Sequence, residues 1–217
     1  MSIPEPHHPL VRLSPDEAAL LERVKTLVAE RIGPDADRVA QQDVFAWDTF
    51  RLLCREGIIA TAFPRAHGGS EASMMLRVRI IEEVASVCST AASLVTGTDL
   101  SSRPIVAGGS EALRSALIPD LASGARQSAF ALTEPGAGSD VARLGAHYAP
   151  APQGGWTLNG QKKFITRANV ADMFVVVARQ ADGPGGGRGL SAFVVPCDTP
   201  GITVSPVIPK LGWYGVP

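Results

Sequence analysis

The hydrophobic pattern of this chain changes period once, near Gly124. Before that glycine, apolar residues recur at three- and four-residue intervals. After it they alternate or form short runs bounded by glycine, proline and asparagine. A helix buries a stripe and a strand buries a face, so one switch of period divides a chain into a helical layer and a sheet layer meeting at a seam. The expected class is α+β: an all-α domain over 14–123, then an antiparallel β-sandwich or open barrel over 124–217, with 1–13 a flexible start.

Local signals place the elements. Ser14-Pro15-Asp16-Glu17 reads as a capping box with proline at the first helical position. Leu20, Leu21, Val24, Leu27 and Val28 form the stripe behind it, and Gly33-Pro34 stops it. A second helix carries Trp47, Phe50, Leu53 and Cys54 and closes at Gly57; an apolar connection over 58–64 then leads to His67-Gly68-Gly69. A third helix is expected from about Ser73 to Val87, with Met75, Val78, Ile81, Val84 and Ala85 inward. The small residues 89–92 suit close packing of another helix. A last short helix starts at Ser110-Glu111, carries Leu113 and Leu117, and breaks at Pro119. Strands are expected at 128–133, 173–178, 190–195 and 202–208, the last an edge because of Pro206. Trp156-Thr157-Leu158, an Asn159-Gly160 turn and 161–166 read as a tight hairpin.

Other classes fall away. With 45% hydrophobic and 19% charged residues the 217-residue chain buries a real core. The 20 Lys+Arg against 21 Asp+Glu give a formal net charge of -1, with no basic run to bind nucleic acid or an anionic membrane. Three scattered cysteines (54, 88, 197) form neither a disulfide framework nor a zinc pattern. The N-terminus lacks a basic-then-apolar signal and no apolar run spans a membrane, so a reducing cytoplasm is the default compartment. Gly136-Ala137-Gly138 lacks the third glycine of a dinucleotide fingerprint, since position 141 is valine. Walker A and the hydrolase elbow are absent. The glycine-rich stretch 184–189 precedes a strand and reads as a hairpin loop. The final residues, Lys210-Leu211-Gly212-Trp213-Tyr214-Gly215-Val216-Pro217, carry aromatics that need a packing partner, so the expected fold is completed by a further segment or a partner chain.

One stretch asks for more than a loop. FALTEPGAGSD, residues 130–140, ends a buried strand in a proline corner followed by two glycines and a hydroxyl. Glycines there let backbone N–H groups approach something that is not protein. This stretch, together with 63–69, 119–124, LNGQKKFIT at 158–166, 199–202 and Lys210-Leu211-Gly212, resembles the N-terminal and middle domains of the acyl-CoA dehydrogenase family in order and spacing over nearly the whole chain.

The resemblance implies a flavoprotein holding FAD. Phe130, Leu132 and Thr133 match positions along the pyrimidine side of the isoalloxazine, and Gly138 and Ser139 match positions near the pyrophosphate, with Ser139 also near the thioester tail. Phe164-Ile165-Thr166 matches the family's Trp-Ile-Thr, whose ring covers one flavin face and whose threonine bonds near N5. The implied reaction is α,β-dehydrogenation of an acyl-CoA or acyl-carrier-protein thioester, with hydride transfer to flavin N5 and an electron-transfer flavoprotein as possible acceptor. In the family the base is a glutamate of a C-terminal helical domain, which this chain is expected to lack. Glu134 is expected to be structural, and the protein to be a homo- or hetero-oligomer. A flavin monooxygenase or oxidase on the same scaffold, and a non-catalytic half-subunit, stay open from sequence.

Overall fold

In a computed structural model that describes residues 12–41, 44–183 and 189–217, the seam falls where the period changes. The helices α1 (Pro15–Leu27), α2 (Ala36–Ala40), α3 (Trp47–Arg55), α4 (Met74–Ala85), α5 (Ser89–Gly108) and α6 (Glu111–Ser123) precede it. The strands β1 (Ser128–Ala131), β2 (His147–Pro150), β3 (Trp156–Asn159), β4 (Met173–Gln180) and β5 (Leu190–Pro196) follow. The start up to residue 11 and most of the expected glycine-rich loop, 184–188, lie outside the described residues.

The capping box forms as its spacing predicts. Ser14 Oγ accepts the Glu17 N–H at 3.2 Å and Glu17 Oε2 accepts the Ser14 N–H at 3.0 Å. Glu17 Oε1 also accepts the Ser73 N–H at 2.9 Å, so one carboxylate serves the starts of both α1 and α4. Past Leu27 the helix widens into a π turn, Val28–Ile32.

Three helical expectations need correction. The buried ridge of α4 is Leu76, Ile80 and Val84 at four-residue spacing, while Val78 and Ala85 face outward; the stripe is phased differently from the one expected. Residues 89–92 are not merely a landing place for another helix: they open α5, 20 residues long and capped by Cys88 Sγ at 3.4 Å from the Ala91 N–H. Its serines, threonines and glycines are weak helix formers, and burial of Ala91, Leu94, Val95 and Ile105 overrides them. Pro119 does not break α6. It removes one backbone donor, but Leu117, Ile118, Leu121 and Ala122 are buried across it and the helix runs on to Gly124.

The sheet is mixed, not antiparallel. β4 is its spine, paired parallel with β1 (Ser128 to Met173) and with β2 (His147 to Arg179) along one edge, and antiparallel with β5 along the other. The expected hairpin is displaced. β3 pairs antiparallel with β2, before it in sequence, and the turn is made by Gly154 and Gly155 at φ +90° and +77°. Gly160 serves a close approach instead: a Cβ there would stand 2.4 Å from the Ala146 Cβ. Residues 161–166 and 202–208 therefore carry no strand, the latter with Pro206 unable to donate to a ladder.

Alternation along β4 explains how the layers join. Met173 and Val175 enter the main core with Phe50, Leu53, Ile80, Leu94, Ile118 and Leu121 of the helices. Phe174 lies on the opposite face with Ala129, Ala171 and the half-buried Ile165, Val176 and Ile202. Ser101 of α5 and Ser128 of β1 share a buried 2.7 Å hydrogen bond across the seam.

Candidate functional site

β1 runs out of the core into the corner identified from sequence. After Thr133 the chain reverses at Pro135-Gly136: Glu134 and Ala137 exchange backbone hydrogen bonds of 3.0 and 3.2 Å. Ala137 is buried; Pro135, Gly136, Gly138, Ser139 and Asp140 are exposed. Proline fixes the first bend and glycine needs no room for a side chain at the second.

The carboxylate of Glu134 gathers the neighbouring segments. Its two oxygens accept the N–H groups of Gly145 (2.6 Å) and Ala146 (3.0 Å), and Oε1 accepts Lys162 Nζ at 2.7 Å. Lys162 Nζ also donates to the Leu132 carbonyl at 3.0 Å, and the Lys163 N–H to the Thr133 carbonyl at 2.8 Å. Burial pushes the Glu134 carboxyl up, yet Lys162 and the two backbone donors together hold it below the usual carboxylate range. A carboxylate so committed is a joint, in agreement with the structural role expected for it.

Through that joint the structure brings the 132–134 corner beside residues 162–164. The predicted site residues divide around it. Phe130 turns inward and packs against the main core; Leu132 and Thr133 are half-buried at the joint; Gly138 and Ser139 are exposed just past the turn. Phe164, Ile165 and Thr166 line a cleft of about 820 Å³ over the outer sheet face, bounded by Ala131, Phe174, Val176 and residues 201–209. Phe130, Leu132, Thr133, Gly138 and Ser139 do not line that cleft. Phe164 is therefore not the sheet-edge residue expected: it sits in a loop at φ +58°, 64% exposed, with Lys163 Nζ 4.7 Å from its ring centroid. The displaced hairpin is the reason.

These residues fit a cofactor with a phosphate and a flat ring. A Cβ at Gly136 or Gly138 would meet open space, and neither N–H finds a protein acceptor among the described residues. Unspent donors on a Cβ-free turn suit a phosphate. An exposed aromatic in a left-handed conformation, flanked by the exposed hydroxyl of Thr166, suits a planar polar ring. Among the described residues no cluster of His, Cys, Asp and Glu could hold a metal ion, and no helix is long and apolar enough to cross a membrane.

Sequence reasoning missed Lys162, Arg167 and Gly97. Lys162 lay in plain sight beside Glu134's partner segment, but a lysine in a presumed hairpin gives no sign of a buried partner.

Comparison with known proteins agrees with this architecture. Residues 14–125 match the model of the acyl-CoA dehydrogenase N-terminal domain, and residues 129–217 that of the acyl-CoA dehydrogenase middle domain. An acyl-CoA dehydrogenase of Bacillus subtilis is 32% identical over 207 residues, covering 94% of this chain and 54% of the relative. The chain thus spans about half the length of the curated relatives it matches. A glutaryl-coenzyme A dehydrogenase solved with glutaryl-CoA superposes with a TM-score of 0.86 at 31% identity, over 95% of this chain and 53% of that one. A glutaryl-CoA dehydrogenase of Mycobacterium smegmatis, solved in complex with FADH2, gives 0.83 at 26% identity, over 94% and 51%. With both domain models matched in succession across the seam, the chain belongs to the acyl-CoA dehydrogenase family.

Proposed function

We propose that this chain forms the flavin-binding wall of an FAD-dependent acyl-thioester dehydrogenase, acting on acyl-CoA or an acyl-carrier-protein thioester. The observation that carries the reading is the joint itself. Lys162 and Lys163 tie the segment that leads into residues 164–166 to the corner after Leu132, which runs on into two glycines whose N–H groups find no protein acceptor among the described residues. Family membership and the FADH2-bound neighbour support the choice of flavin.

Each part has a task. Gly136 and Gly138 would give backbone donors to the pyrophosphate. Thr133 and Thr166 would give hydroxyl contacts to the ring system, and Phe164 its apolar cover. Phe130 backs the corner from the core side; Leu132 would line the pyrimidine side of the ring, Ile165 would back the loop, and Ser139 would lie where the thioester tail passes. FAD, when bound, supplies the hydride acceptor. The residues on this chain position and shield; the α-proton needs an acceptor elsewhere, because three donors occupy the Glu134 oxygens and hold its pKa low, which leaves it a weak base. That acceptor would come from a C-terminal half or partner subunit, within a homo- or hetero-oligomer, with an electron-transfer flavoprotein as the next carrier.

The test is purification of the chain with and without a C-terminal half of a family member, identification of any retained flavin by chromatography, and assay with acyl-CoA and an artificial electron acceptor. Retained FAD with acyl-CoA-dependent acceptor reduction by the completed protein is the expected result. Flavin that reacts with oxygen and ignores acyl-CoA would move the assignment to an oxidase or monooxygenase. No retained flavin in either preparation would remove it.

A further inference from the structure

Arg167 is the largest fully buried side chain of the described residues, only 1% exposed, and its partners are all neutral. Its Nη1 donates to Thr98 Oγ1 at 2.7 Å, and Nη2 to the carbonyls of Ser93 (3.0 Å) and Leu94 (2.6 Å), all on α5. The guanidinium lies 5.6 Å from the Phe45 ring centroid, and Nε has no acceptor among the described residues. Burial pulls its pKa down to about 10, so it stays charged at neutral pH. A buried cation facing only neutral groups is costly to fold, and such a group calls for a reason other than stability.

The backbone supplies the reason. Arg167 sits at φ +68° and Phe164 at φ +58°, two non-glycine residues in left-handed conformations bracketing Ile165-Thr166. Such backbones persist where the surroundings over-determine them. The Arg167 N–H donates to the Pro217 carbonyl at 2.5 Å while its side chain reaches into the helical layer. At the near end of the loop stand Lys162 and Lys163. The loop is held at both ends, by the corner on one side and by α5 on the other.

We propose that Arg167 is a positioning residue, a buried tether that fixes residues 164–166 against the 132–134 corner and so sets the geometry of the cofactor wall. Gly97 is its counterpart on α5: a Cβ there would stand 2.9 Å from Nη2 and 3.0 Å from Cζ. Alanine at either position should release the same loop. The cofactor clause rests on the function proposed above, whereas the tether does not.

The test uses the 217-residue chain as wild type, Arg167→Ala, Arg167→Lys, Gly97→Ala and the double alanine variant, with folding checked by circular dichroism. Two quantities are measured. One is the rate of tryptic cleavage after the exposed Lys163, without flavin and identified by mass; the other is the dissociation constant for FAD. Arg167→Ala and Gly97→Ala are expected to raise both about tenfold or more, the scale of losing charge-assisted hydrogen bonds. Arg167→Lys is expected to fall between, because an ammonium cannot span the forked acceptors. The double variant should be no worse than Arg167→Ala, because no guanidinium remains for the added methyl to displace.

A folded Arg167→Ala with wild-type cleavage at Lys163 overturns the tether. If Arg167→Ala does not fold, Gly97→Ala decides by the same readout. Faster cleavage with unchanged FAD affinity overturns the positioning role and leaves a structural one. Faster cleavage in variants of a wild type that takes up no FAD, alone or with a C-terminal half of a family member, upholds the tether and refutes the flavin reading.

Discussion

Replacing Lys162 with methionine keeps an unbranched apolar stem of the same length, with sulfur in place of Cδ, and removes the ammonium. In the folded chain Lys162 and Glu134 are 11% and 8% exposed, and Nζ bridges Glu134 Oε1 at 2.7 Å and the Leu132 carbonyl at 3.0 Å. Removing one partner of a buried ion pair costs about 3–5 kcal/mol, because the other charge is left uncompensated. Glu134 keeps its bonds from Gly145 and Ala146, which places the loss at the lower end, about 3 kcal/mol. The pH dependence has a definite sign. The folded carboxyl titrates below its unfolded value of about 4.3, so its contribution is complete above that pH and is lost as pH falls through the folded value. In the variant, burial still pushes the carboxyl up while the Lys162 bond that opposed it is gone, so the acid loss of stability begins at higher pH. Urea unfolding followed by circular dichroism at pH 7 and pH 5 measures both effects. Adding Glu134→Gln to Lys162→Met should recover part of the loss by removing the stranded charge. A loss under about 1 kcal/mol at pH 7, the range of an exposed pair, would refute the reasoning, as would an acid limb that does not move.

Gly124 ends α6 at φ +78°, and a Cβ there would stand 2.4 Å from Cys54 Sγ and 2.9 Å from Phe50 Cε1. Gly124→Ala should therefore cost about 3 kcal/mol from overpacking and left-handed strain, lowering the thermal midpoint by roughly 6–12 °C in a calorimetric scan. Among the thiols Cys197 is exposed, Cys88 is buried, and burial pushes Cys54 up to about 11. A disulfide reagent at pH 8 should titrate one thiol rapidly in the native chain and three after denaturation; rapid reaction of two in the native chain would contradict that assignment.

The parts of this fold legible in the sequence are those decided locally. Ser14 to Glu17 announces a helix start because both bonding partners lie within four residues, and Trp47 to Cys54 shows its stripe directly. What failed depended on tertiary contacts. α5 is made of residues that prefer other conformations and becomes a helix because it is buried between the other helices and the sheet. Asn159-Gly160 has the composition of a hairpin turn, but the glycine is needed to let Ala146 pass, and Gly154-Gly155 makes the turn instead. The corner at 134–138 was readable because proline and glycine restrict the backbone by themselves. The pairings that join it to the rest of the site were not, since Glu134 meets Lys162 across 28 residues and Arg167 meets Thr98 across 69.

The proposed wall for FAD joins the corner after Leu132 to the loop at 164–166. The most direct measurement is FAD affinity, by quenching of flavin fluorescence, for wild type, Gly138→Val and Thr166→Ala, with thermal midpoints recorded alongside. A Cβ at Gly138 enters open space and Thr166 is exposed, so the midpoints should stay within about 2 °C of wild type while FAD affinity falls about tenfold or more. Unchanged affinity in both folded variants, or a wild type that does not quench the flavin even with a C-terminal half of a family member present, would contradict the account.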